Sequence, residues 1–172
     1  MDDEALLRLH EEAVRPEWID FNGHMNLAFY VLAFDHATDR FLHHVHLGEA
    51  YLRRSECSVF ILETHVVYAR EMRLGDRMRF TTQLLDFDAK RLRFIHHMYH
   101  AEEGFLSAAN ELLGLHVDMR TRRSAPIPPE AAEALARLRA RQAHLPAPPE
   151  AGRSIDLARR NAAGAAAARR DQ

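Results

Sequence analysis

Residues 18–45 read WIDFNGHMNLAFYVLAFDHATDRFLHHV, and this stretch decides the fold. From Asn26 onward Leu27, Tyr30, Val31, Phe34, Phe41, Leu42 and Val45 recur in helical steps, with Thr38 filling one step of the same face. Asn26 suits the N-cap, and Gly48, after Leu47, suits the C-terminal stop. Phe29 and Leu32 lie off that face. The first half of the helix is therefore apolar nearly all round and is expected to be deeply buried. Asp35, His36, Asp39, Arg40, His43 and His44 make one side of the second half polar.

On either side of this helix the period changes to two. Residues 58–69 (SVFILETHVVYA) are rich in β-branched and aromatic residues, as strands are. Met78, Phe80, Thr82 and Leu84 alternate with polar partners, and so do Leu92, Phe94, His96 and Met98. Phe105 to Val117 is a fourth long run. The separators at 74–76, 86–90 and 101–104 are short and carry turn residues, which implies antiparallel neighbours. A first strand is expected near Leu7 to Val14. The order strand, long helix, four strands gives an α+β fold: one central helix wrapped by an antiparallel sheet of about five strands.

The C-terminal region differs. APIPP at 125–129 breaks the last strand, and a helix is expected near 130–142. LPAPPEAG (145–152) reads as a stiff linker, and the residues beyond it are rich in alanine and arginine. The expected organisation is one domain over 1–145 and a disordered tail over 146–172. A chain of 172 residues with 47% apolar and 28% charged residues suits a single globular domain. Its net charge of −2 offers no basic face for nucleic acid. No apolar run reaches the ~20 residues needed to cross a bilayer, and the acidic N-terminus does not look like a signal peptide. The expectation is a cytoplasmic protein with no nucleic-acid or membrane partner.

The densest polar cluster in an apolar setting lies in 18–26. Asp20, Asn22 and His24 alternate, so an extended loop can project them together. Gly23 permits backbone that other residues resist. The loop feeds a helix N-terminus whose first amides lack intrahelical partners. A carboxylate, an amide, an imidazole and free donors are the groups that attack on an acyl carbonyl needs. The same residues also read as plain helix caps with a partly buried histidine. The twelve histidines include HHVH at 43–46 and HHMYH at 96–100. Neither has a nearby cysteine or a second pair at zinc-finger spacing, so both read as surface or interface packing. Cys57, the only cysteine, reads as a small buried apolar residue.

WIDFNGHMN followed by LAFYVLAFD resembles the entry loop and central helix of hot-dog-fold acyl thioesterases. The resemblance continues through ETHVVYAREMRLGD, TQLLDFDAKRLRF and LLGLHVDMRTRRSAPIP, spanning about residues 12–128. It is similar to the 4-hydroxybenzoyl-CoA branch and, within it, to betainyl-CoA thioesterases of carnitine breakdown. That resemblance implies hydrolysis of a small acyl-CoA to a free acid and CoA, with no cofactor and no metal.

It also implies roles for particular residues. Asp20, three before Gly23, matches the catalytic aspartate. Asp20, Asn22 and His24 match the Asp-x-Asn-x-His of acyl-carrier-protein thioesterases. Glu71, after Tyr68, matches their strand glutamate, with Glu63 as rival. Trp18, Gly23, Met25, Asn26, Glu63 and Tyr68 fall to the substrate pocket. By residue type alone, Trp18 with Tyr30 or Phe34 reads as a cage for a trimethylammonium group, against core packing, which is the preferred reading of Tyr30 and Phe34. Another branch carries its acid on the central helix; here Asp35 and Asp39 are assigned to solvent or ion pairs. Arg120, Arg122 and Arg123 read either as a solvated turn or as holders of CoA phosphates. The family implies a homodimer or dimer of dimers. A non-catalytic acyl-binding module, a carrier-protein thioesterase and a dehydratase are the rival readings.

Overall fold

The computed structural model describes residues 4–157. The elements are β1 (Glu11–Ala13), a 3-10 turn (Pro16–Trp18), α1 (Leu27–His44), α2 (Glu49–Ser55), β2 (Cys57–Tyr68), β3 (Arg77–Phe87), β4 (Arg91–His100), β5 (Leu106–Asp118), β6 (Arg123–Ser124) and α3 (Pro129–Arg141). The sheet runs β1-β3-β4-β5-β2, antiparallel throughout, with β6 added to β5. It curls around α1, as the α+β reading expects. β1 is shorter than the expected strand: of the residues before Glu11, Leu7 pairs with Thr82 as an isolated bridge.

α1 starts where the sequence places it, with the Asn26 side chain accepting from the Ala28 N–H at 3.0 Å. It ends differently. The Leu47 N–H reaches the Leu42 carbonyl at 2.8 Å, and the His46 N–H reaches the His43 carbonyl at 3.2 Å. This double closure needs a left-handed residue, and His46 supplies it with φ 64. Gly48 plays another part. It N-caps α2, and a Cβ there would sit 2.9 Å from His43 Cα. The glycine is required by close approach rather than by its φ. α2 itself is absent from the sequence expectation; seven residues are too few to show a period.

The core has two parts. Phe41, Val45, Leu84, Leu92, Phe94 and Leu112 pack with Ala131, Leu135 and Leu138 of α3. Val14, Trp18, Met25, Tyr30, Phe34, Met72, Met78, Phe80 and Met98 form the other. Burial of each large side chain contributes about 1.5–3 kcal/mol. Gln142, fully buried, pins α3 to the sheet: it accepts from the Leu84 N–H and donates to the Ala5 and Thr82 carbonyls. His96 lies inside the core rather than at a surface, bonded to Thr38 and Thr82. Burial pushes its pKa down to about 3, so the ring is neutral.

The expectation of a deeply buried first half of α1 does not hold. Leu27 is 65% exposed, and Val31 and Leu32 are also exposed, whereas Phe34, Ala37 and Phe41 are buried. Only the Tyr30 side of that half meets the sheet.

The linker at 145–152 is ordered against the sheet. The Pro146 carbonyl accepts from Gln83, Glu150 meets His97 at 3.2 Å, and the Gly152 N–H donates to Glu111 at 2.6 Å. Gln83 and Glu111 flank Ile95 in register, so this segment crosses over Ile95 and buries it on the sheet's outer face. The tail expected from 146 thus falls partly on these residues, and 158–172 lie outside the described ones.

Candidate active site

The loop before α1 is built by its own polar groups. The Asp20 N–H donates to the His24 carbonyl and the Gly23 N–H to the Asp20 carbonyl, closing a tight turn with Gly23 at φ 80. Met25 and Asn26 are then tied to Met72 and Trp18 through their N–H groups, 2.8 and 2.9 Å. The Asp20 carboxylate is held at both oxygens. Oδ1 accepts from the Asn22 N–H at 2.8 Å, and Oδ2 accepts from Asn26 Nδ2 at 3.3 Å. Asn26 therefore both caps α1 and orients Asp20. The cap uses the Ala28 and Phe29 amides and leaves the Leu27 N–H outside it.

Asp20, Asn22, His24 and Glu71 line one cavity of about 350 Å³, with Met25, Tyr68, Leu27, Tyr30, Ala69 and Arg70. Glu71 sits just past β2 and is bonded to Arg73 at 2.9 Å; that hydrogen bond holds its carboxyl below the usual glutamate range. The Tyr68 hydroxyl donates to the Leu27 carbonyl at 3.3 Å, and the Tyr30 hydroxyl accepts from the Met72 N–H at 3.0 Å. The two tyrosine rings meet edge to face, centroids 5.2 Å apart. Burial raises the pKa of both.

Four of the expected site residues, Trp18, Gly23, Asn26 and Glu63, do not line this cavity. Trp18 is buried in the core, stacked on Phe29 at 5.6 Å, and does not line the cavity. Phe34, its other cage partner by sequence, is also buried. Glu63 follows a bulge at Leu62 and faces a different groove, with His65, Arg93 and Glu111. Gly23 and Asn26 shape the loop and hold Asp20 without lining the cavity. Leu27, Ala69 and Arg70 line it without having been assigned there, and Tyr30 lines it as one of the two alternative cage partners. For Tyr30 a signal existed: it stands one helical turn after Asn26, on the face nearest the loop.

Arg120 is bound to Asp118, and Arg122 takes a positive φ in the turn before β6. Asp35 and Asp39 lie exposed on α1, away from this cavity. Among the described residues neither histidine run gathers a ligand set for a metal. No helix among them is long and apolar enough to cross a membrane.

A fixed carboxylate in one cavity with the first residue of α1, on a helix wrapped by this sheet, fits thioester hydrolysis. The profile of the Thioesterase-like superfamily matches residues 14–135. A betainyl-CoA thioesterase of Pseudomonas aeruginosa is 41% identical over 155 residues, covering 88% of this chain and 96% of the relative. An L-carnitine dehydrogenase/betainyl-CoA thioesterase of Agrobacterium fabrum is 39% identical; the match covers 89% of this chain and 31% of that longer protein. A hypothetical protein of Staphylococcus aureus solved in complex with CoA superposes with a TM-score of 0.81 at 28% identity, covering 91% of this chain and 99% of that one. The chain belongs to the Thioesterase-like superfamily. It has the hot-dog fold and is a thioester hydrolase.

Proposed function

We propose that the chain hydrolyses a small acyl-CoA carrying a quaternary ammonium group, as betainyl-CoA does, and that Asp20 is its catalytic carboxylate. The observation that carries this is the Asp20 carboxylate, fixed by Asn22 and Asn26 in the cavity that Leu27 also lines, the Leu27 N–H being the helix-terminal amide that the cap leaves over. The thioester oxygen binds at that amide, where the helix dipole favours developing negative charge. Asp20 takes a proton from water, the water oxygen bonds to the acyl carbon, the C–S bond breaks, and the proton returns to the CoA thiolate. Direct attack by Asp20 through an anhydride is the alternative route to the same products. Asn22 and His24 orient the water. Tyr30 and Tyr68 offer aromatic faces, and Asp20 and Glu71 offer negative charge, to a trimethylammonium group.

Several further assignments belong to this reading. The catalytic domain covers 1–145, with 146–172 an appendage to it. The protein works in the cytoplasm in carnitine breakdown. It forms a homodimer or a dimer of dimers: β2 is a sheet edge, and Leu27, Val31, Leu32, Ile61 and Leu62 are exposed apolar residues beside it. A partner's β2 then approaches the Asp20 loop, which gives Glu63 a place in the shared pocket.

The test is thiol release from betainyl-CoA, aromatic acyl-CoAs and medium-chain acyl-CoAs. The highest kcat/KM is expected for betainyl-CoA. A preference for medium chains overturns the quaternary-ammonium assignment, and no thiol release from any of them overturns catalysis.

A further inference from the structure

We propose that His10, Glu12 and His36 form a binding site for a divalent transition-metal ion, which pins β1 to α1. His10 and Glu12 stand two apart, so their side chains leave the chain on the same side, toward α1. Their backbone is fixed on β3: Glu12 pairs with Met78, and the Phe80 N–H donates to the His10 carbonyl at 3.1 Å. His36 reaches the same point from the middle of α1. Glu12 Oε1 lies 2.9 Å from His10 Nε2 and 3.0 Å from His36 Nδ1, and Oε2 lies 3.2 Å from His36 Nδ1. One ligand atom from each residue can be chosen so that all three lie within 4.8 Å of one another. Ligand atoms around a tetrahedral ion with ~2.0–2.1 Å bonds stand about 3.3 Å apart, so small side-chain shifts would seat one.

The surroundings fit a metal better than a surface ion pair. The Glu12 side chain is 9% exposed and that of His10 13%, against 34% for His36. The His10 ring packs on Phe80 at 5.2 Å and meets His36 edge-on at 6.1 Å, which orients both imidazoles. Burial raises the Glu12 carboxyl, and the two imidazoles more than offset this, so it lies below the usual range and is ionised. The cluster opens onto a groove of about 700 Å³ between α1, α2 and the start of β2, giving an entry path and room for a water ligand. The Arg15 guanidinium stands 3.9 Å from Glu12 Oε2; it is 56% exposed and lies over the Trp18 ring, outside the three donor atoms.

Two imidazole nitrogens and one carboxylate suit zinc, iron, cobalt or nickel rather than magnesium or calcium. The groove shares no lining residue with the Asp20 cavity. The ion's place is therefore structural: β1 is a three-residue edge strand, and a metal would tie it to the helix that carries the active site. This departs from the sequence expectation of no metal, because the three ligands come from two segments that no local motif joins.

The probes are Co²⁺ and Zn²⁺ added to the full chain after treatment with a chelator. Binding of about one Co²⁺ per chain is expected, with visible absorption of nitrogen/oxygen coordination. Zn²⁺ should raise the Tm. Glu12→Gln and His36→Gln should each weaken Co²⁺ binding at least about tenfold and remove the Zn²⁺ effect on Tm. A His44→Ala variant, on the other side of α1 and outside this groove, should keep both. If Glu12→Gln fails to fold, His10→Gln carries the same reading. Binding that survives these ligand changes, or is lost equally in the His44→Ala variant, overturns the site. So does the absence of absorption and of any Tm shift in the unsubstituted chain.

Discussion

The two halves of the core are built from different side chains. The half that includes α3 is mainly Leu, Phe and Val, with Tyr51, Ile127 and Ala131, and α3, α1 and the sheet close it except where Leu42, Leu47 and Val59 line the groove between α1 and α2. The half behind the Asp20 loop holds Met25, Met72, Met78 and Met98 among aromatic residues, and its outer rim leaves Leu27, Tyr68 and Leu74 exposed. α1 passes through both. Branched aliphatics lock one arrangement; unbranched thioethers adapt to irregular neighbours. The closed half is thus suited to holding the fold, and the methionine half to standing behind a pocket whose occupant comes and goes.

The sharpest challenge to this division is Leu135→Ala. Leu135, on the inner face of α3, is fully buried, and its truncation should cost about 2–5 kcal/mol in urea unfolding. A cost below about 1 kcal/mol would mean that α3 is not part of the core. Next comes Asp20→Asn, which can keep the bond from the Asn22 N–H and the Asn26 cap of α1 but gives up the weaker 3.3 Å bond from Asn26 Nδ2 along with the negative charge. We expect kcat/KM to fall at least ~100-fold with Tm nearly unchanged. A large Tm loss with a small rate loss would make Asp20 a cap, and would make the loop end a stability element after all. Met98→Leu should cost less than ~1.5 kcal/mol, because volume is kept and the neighbours are thioethers. A cost equal to that of Leu135→Ala would erase the contrast.

The smallest effect concerns Glu150. The hydrogen bond with His97 holds its carboxyl below the usual 4.5. A depressed carboxyl stabilises the fold above its unfolded value, and the benefit is lost as pH falls through the folded one. Glu150→Gln should lower stability near neutral pH by about 0.5–1 kcal/mol after solvent screening. It should also flatten the fall in Tm below pH 4.5. An unchanged pH profile would remove the segment at 146–152 from the stability of the sheet.

Legibility in the sequence tracks the range of each interaction. Asn26 as N-cap depends on residues two apart and was readable. Strand alternation was readable because one face of β3 and β4 is core. The Asp20 loop was readable because its groups are contiguous. His46 as helix stop was not, since only the closure of α1 reveals a non-glycine residue with positive φ. Leu27 and Val31 fit the apolar period, yet period does not say whether a neighbour covers the face. Glu63 and Glu71 could not be separated by spacing, because what separates them is where β2 stops: Glu63 lies within the strand, and Glu71 lies past its end at Tyr68 and lines the cavity. The burial of Ile95 depends on a segment some fifty residues later, invisible to any local pattern.

That segment also limits how copies of this chain can stack. With residues 146–152 lying across Ile95, between Gln83 and Glu111, the outer face of the sheet carries its own wrapping. Two such sheets could lie face to face there only by peeling the wrapping away, giving up the bonds to Gln83, His97 and Glu111 and exposing Ile95. Higher assemblies are thereby steered away from the middle of the sheet and toward its uncovered margins, where the β2 edge and the bare apolar side of α1 remain available.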